Sequence, residues 1–132
     1  MKNIFVPYLA NDEIWKQAEA IRDKFGRNTI PVNVDIIAEK GFKLDFIPIP
    51  TLRSIVGAEA HISGDLTELH YEPDSSSFRL RFSIAHELGH AVLHPTQIKI
   101  LRSGSYAEWK ETIQELPSGI WGRAEYQARE FA

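Results

Sequence analysis

Ser83-Ile84-Ala85-His86-Glu87-Leu88-Gly89-His90 lies inside a run, Phe78 to about Leu93, whose apolar residues Ile84, Ala85, Leu88 and Val92 recur at helical spacing. Pro95 supplies a stop just beyond, so the periodicity predicts one long helix with one inward stripe. On a helix, positions four apart differ by about 40° in azimuth and about 6 Å along the axis, so His86 and His90 can reach one metal ion. Glu87 projects beside them, placed for water held by that ion. With 5 His and 12 Glu in 132 residues, an H-E-x-x-H string arises by chance at roughly the 2% level, and the helical context lowers that further.

A zinc ion needs a third protein ligand, with the fourth position left open if the site is catalytic. The metzincin extension is absent, because Leu93 and Thr96 stand where Gly and His are required. The third ligand is therefore expected to be a later carboxylate, from Glu108, Glu111, Glu115, Glu125 and Glu130. Glu108 already has a role in the capping box Ser105-x-x-Glu108 that opens a helix over 105–116, and Glu130 falls on an outward face. Glu125 shares the inward stripe Trp121, Ala124, Ala128, Phe131 and Ala132 of a last helix over 121–132, where a buried carboxylate needs a cation. Glu111 and Glu115 stay open, as does an internal salt bridge from Glu125 to Arg81 or Arg123.

Upstream, Ile14, Ala18, Ile21 and Phe25 predict a packing helix over 12–25, capped by Asn11 and stopped by Gly26. Pro31 opens a short helix through Ile36, Ile37 and Ala38 that Gly41 closes. Phe42, Leu44 and Phe46 then alternate with Lys43 and Asp45, predicting a strand ended by Pro48 and Pro50 and so placed at an edge. Residues 55–62 and 66–72 flank Ser63-Gly64-Asp65 as a hairpin, which makes a three-stranded sheet. His61 and His70 fall on these strands, as surface or cross-strand residues. Gly89 inside the long helix points to close approach of another element. His94, at the helix end, is expected to bond the last carbonyls.

The chain has 43% apolar residues and 25% charged ones, enough for one core and too little length for two ordinary domains. Its net charge of -3 provides no field for nucleic acid or an anionic membrane, so neither is expected as a direct partner. Zero cysteines exclude a disulfide framework and a thiolate nucleophile, leaving His and carboxylates for any metal and pointing to an intracellular, cytoplasmic place of work. Met1-Lys2 and the short apolar run broken by Pro7 make a poor export signal, and no run approaches the roughly 18 apolar residues of a membrane span.

Two blocks together are specific: Arg79-Leu80-Arg81-Phe82-Ser83-Ile84-Ala85-His86-Glu87-Leu88-Gly89-His90 with Leu93-His94, then Glu125-Tyr126-Gln127-Ala128-Arg129-Glu130-Phe131-Ala132. In this order they resemble the ImmA/IrrE family of zinc metallopeptidases. The resemblance covers Leu44 to Ala132 and is sharp only in these blocks. The family's second block usually reads Glu, two residues, Ala, Asn, one residue, Phe-Ala, and its first Glu, the third metal ligand, maps onto Glu125. Arg129 stands where that family usually has Asn. Family members continue past Phe-Ala, so residues 1–132 read as a single metallopeptidase domain shortened at its C-terminus.

The resemblance implies an α+β, zincin-like fold in which helices pack with the small sheet and H-E-x-x-H sits on a central helix. It implies Zn2+ held by His86, His90 and Glu125, with Glu87 as general base. Zinc so held lowers the pKa of its water to about 7 and polarises a carbonyl. Tyr106, Tyr126, Arg123 and His94 are candidate donors to the oxyanion. The implied substrate is a helix-turn-helix transcriptional repressor, cut to relieve repression, and an extended segment is expected to add to the sheet edge beside the active helix. Two other classes remain: a metal-stabilised interaction domain that binds a repressor without cleaving it, and a metal hydrolase acting on a non-peptide bond.

Overall fold

A computed structural model of the chain describes residues 5–25, 34–102, 104, 108–109 and 120–132. Helix α1 (Asn11–Phe25) buries Ile14 and rests Ala18 and Ile21 on the same core, the stripe its periodicity predicts. Its first bonds run from the N–H groups of Glu13 and Ile14 to the Ala10 carbonyl, so the helix starts one residue before an Asn11 cap. The Asn11 Oδ1 instead accepts from the Tyr126 hydroxyl at 3.1 Å. Gly26 and Pro31, the expected stop and start, lie outside the described residues.

A short α2 (Val34–Ile36) runs into a π-helical turn, Ile37–Gly41, closed by a 3.2 Å bond from the Phe42 N–H to the Ile37 carbonyl. The alternation from Phe42 predicts pairing earlier than it begins. Lys43 takes a left-handed φ of 55°, which turns the chain, so strand β1 is Asp45–Pro48. The upstream part of the expected hairpin is also corrected: Ile55 and Val56 belong to helix α3 (Leu52–Val56), anchored by fully buried Leu52 and closed by Gly57 at a φ of 76°.

Strands β2 (Ala60–Ile62) and β3 (Glu68–Tyr71) form the antiparallel hairpin, with His61 opposite His70. The sheet order is β1-β3-β2, with β1 parallel to β3. Pro48 is tolerated because β1 is an edge strand, as the sequence predicts.

Helix α4 (Ser77–Leu93) starts at Ser76, whose Oγ accepts from the Arg79 N–H at 3.3 Å. Pro95 ends it but also opens α5 (Pro95–Leu101), an element absent from the expectations above. Proline suits the first helical position, where no N–H is needed, so one residue acts as both stop and start. The expected helix over 105–116 lies outside the described residues except at Glu108 and Trp109, which are helical. The last segment is α6 (Ile120–Phe131).

The fold is α+β, with six α-helices and the three-stranded sheet among the described residues. Helix α4 is central, with β2 packed on one side, α6 on another, and α1 reaching α6. Ile62, Leu69, Ile84, Leu88 and Phe131 share the main core, and Val6, Leu101 and Ala124 form a second cluster. No described helix is long and apolar enough to cross a membrane.

The close approach expected at Gly89 is to α6: a Cβ there would stand 3.0 Å from the Ala128 carbonyl oxygen and 3.1 Å from its Cα. Two backbones meet where neither side chain exceeds a methyl group. Gly89→Ala is expected to lower stability by about 1–3 kcal/mol through overpacking, despite alanine's better helix propensity. Urea denaturation checks this, and unchanged or raised stability would show that α6 is free to shift outward.

Candidate metal centre

Because α6 lies so close to α4, Glu125 reaches across to the two imidazoles of the H-E-x-x-H string. Its Oε1 is 2.8 Å from Nε2 of His90 and its Oε2 is 3.3 Å from Nε2 of His86. One ligand atom from each of these three residues lies within 4.8 Å of the others. Two imidazole nitrogens and a carboxylate oxygen are a donor set that suits zinc. His90 is only 1% exposed, whereas His86 is 18% and Glu125 40%, so the cluster opens to solvent on one side. Burial pushes the Glu125 carboxyl upward, but the bonds to His86 and His90 outweigh it and hold the carboxyl well below the usual range.

Of the other candidates for third ligand, Glu108 is outside this cluster, and Glu130 faces outward, where it accepts an exposed bond from the Trp15 indole N–H at 3.2 Å. Glu111 and Glu115 lie outside the described residues. Arg123 donates to the Val6 carbonyl, and the ion pairs of Glu125 among the described residues are with His86 and His90. Arg81 and Arg129 are exposed.

Glu87 sits differently from its expected place. It is buried, and its Oε1 accepts both the Ile62 N–H at 2.8 Å and the Arg102 guanidinium at 2.9 Å. Arg102 also donates to the Ile62 carbonyl at 2.8 Å, so one ion pair clamps both backbone groups of Ile62. Addition of a peptide to the edge of β2 is therefore blocked at Ile62 by the chain's own side chains. Burial works to raise the Glu87 pKa, but the Arg102 charge, with help from His61 and His90, overcomes it and lowers it to about 2. Arg102 lies over the Trp109 ring at 5.6 Å, and His61 meets the same ring edge-on at 5.0 Å.

His94 is a further correction. Its side chain does not cap the helix: it is fully buried, with Nδ1 3.0 Å from Nδ1 of His90 and Nε2 2.7 Å from Oε1 of Gln127. Gln127, also buried, donates through Nε2 to the Pro7 carbonyl at 2.8 Å. Trp121 stacks on the His90 ring, with centroids 5.2 Å apart and planes 10° apart. Of the four suggested oxyanion donors, His94, Arg123 and Tyr126 are committed to these other bonds, and Tyr106 lies outside the described residues.

Arg102 carried no sequence signal, since its partner is fifteen residues away. Gln127 did carry one: it falls three residues after Ala124, on the inward stripe of α6.

Burial holds His61 and His94 neutral, lowering their pKa values to about 3 and about 4. Both values lie below the 6.5 of an unfolded histidine, so between them and 6.5 the unfolded chain binds more protons and stability rises with pH. Stability is expected to fall as pH drops below about 6.5, by up to ~1.4 kcal/mol per pH unit for each histidine. Urea midpoints at about pH 7 and about pH 5 check this, and equal midpoints would contradict it.

Residues 56–120 match the family model Peptidase_M78, described as the IrrE N-terminal-like domain. Neither a curated protein nor a solved structure matches the chain. The matched segment holds β2, β3 and all of α4, and Glu125 lies just beyond its end. With H-E-x-x-H inside that match and its two histidines facing a carboxylate, residues 56–120 bear out the resemblance to the ImmA/IrrE family, whose members are metallopeptidases.

Proposed function

We propose that this chain is a zinc-dependent metalloendopeptidase that cleaves a helix-turn-helix transcriptional repressor in the cytoplasm, and so relieves repression. The convergence of His86, His90 and Glu125 on one side of α4 carries the reading. These three residues would hold the ion. Zinc there supplies Lewis acidity, polarising the scissile carbonyl and making bound water acidic. The repressor as substrate follows from the family resemblance, and the lack of cysteine fits the cytoplasm.

Glu87 is the general base in this account. It takes a proton from the attacking water and delivers it to the leaving amine. Both bonds that fix the side chain fall on Oε1, which leaves Oε2 for the proton. The Arg102 guanidinium bonded to Oε1 holds the Glu87 carboxyl well below its usual range and so restrains it as a base. Phe78 and Phe82, 71% and 49% exposed, lie two turns and one turn before His86 and provide an apolar lip for a peptide.

The second reading, a metal-stabilised domain that binds a repressor without cutting it, is favoured by one observation: the Glu87 and Arg102 pair is built into the structure on both sides of Ile62. Glu87→Gln separates the two. The substitution is expected to leave zinc content unchanged and to cut hydrolysis of a repressor by about 100-fold or more, read as fragments by mass spectrometry. A variant that cleaves as fast as the parent would remove Glu87 from the mechanism. Tight repressor binding without fragments from either protein would favour the interaction domain.

A further inference from the structure

Three consecutive carbonyls near the N-terminus, of Phe5, Val6 and Pro7, accept bonds from the side chains of Gln97, Arg123 and Gln127. The third of these continues inward through buried groups to a residue of the metal centre. The sequence is the Pro7 carbonyl, Gln127, His94 and His90, with separations of 2.8, 2.7 and 3.0 Å.

The direction of this chain is fixed at its outer end. A backbone carbonyl only accepts, so the Gln127 amide must present its NH2 to Pro7 and its oxygen to His94. That oxygen also only accepts, so His94 carries its proton on Nε2. His94 is fully buried, both its ring nitrogens face His90 and Gln127 with no carboxylate among the described residues bonded to it, and in its neutral form Nδ1 is then bare. A bare Nδ1 accepts, so His90 donates through Nδ1–H. The reverse direction sets the Gln127 oxygen against the Pro7 oxygen and leaves both without a donor.

We propose that the Pro7 carbonyl, acting through Gln127 and His94, holds the proton of His90 on Nδ1 and so dedicates His90 Nε2 to the metal ion. This rests on the reading of His86, His90 and Glu125 as the metal centre. Gln127 and His94 are positioning residues, and the Pro7 carbonyl is part of the centre although nothing in H-E-x-x-H refers to it. Trp121, stacked on the same ring, limits its tilt while the bond to His94 limits its rotation.

The test has two parts on the full chain. Ring-nitrogen NMR of the metal-free protein is expected to show a proton on Nε2 of His94, none on its Nδ1, and one on Nδ1 of His90, beside the Nε2 proton that the 2.8 Å bond to Glu125 requires until an ion replaces it. A proton on Nδ1 of His94 overturns the proposal without any variant. Zinc affinity is then measured by competition with a fluorescent chelator. Gln127→Met and His94→Leu are expected to weaken zinc binding by about 10–100-fold. His94→Asn, whose Oδ1 takes the place of Nδ1 as an acceptor, is expected to stay within a few-fold of the parent. Equal affinity of the parent and folded Gln127→Met overturns the proposal and leaves the metal centre standing. A parent that binds no zinc, with the His94 proton on Nε2, overturns the metal-centre reading instead.

Discussion

The seat of α6 on α4 at Gly89 is the constraint on which the centre depends. Glu125 is 35 residues from His90 in sequence, and only close contact of the two helices brings its carboxylate to 2.8 Å from the imidazole. Gly89 and Ala128 permit that contact because no side chain larger than a methyl separates the backbones. The same contact buries Ala124, Ala128 and Phe131, so the apolar energy of docking α6 also holds a carboxylate against two histidines. The carboxylate and the two imidazoles so brought together form a donor set that could hold a metal ion.

Behind this opening the centre is held by two buried polar systems of different kinds. One is the ion pair between Glu87 and Arg102, which also takes the N–H and carbonyl of Ile62. It joins the active helix, the edge strand and the end of α5, and breaking such a pair by removing one partner typically costs about 3–5 kcal/mol. The other is the hydrogen-bonded chain from His90 through His94 and Gln127 to Pro7. The ion pair restrains Glu87, the proposed base, whereas the chain through His94 restrains His90, a proposed ligand. A reaction that uses Glu87 has to draw on the first while leaving the second intact.

Much of this was legible in the residues. The helical period around Ile84 and Leu88 gave α4, the stripe through Ala124 and Ala128 turned Glu125 inward, and Gly89 announced a close neighbour. Local patterns failed where one residue serves two purposes or where backbone conformation overrides periodicity. Pro95 both ends α4 and begins α5, and the left-handed φ at Lys43 delays β1. The partners of His94 and Glu87 were hidden for a different reason. Gln127, Arg102 and Pro7 meet them only through tertiary packing, and no spacing rule connects residues so far apart.

Zinc content per chain, measured by elemental analysis after a mild chelator wash, tests the central claim most directly when the parent is compared with Glu125→Ala. The account predicts close to one zinc in the parent and a marked loss in the variant, because a site reduced to two imidazoles holds the ion weakly. Zinc retained equally by both proteins, or bound by neither after zinc is added back, would contradict a centre built from His86, His90 and Glu125.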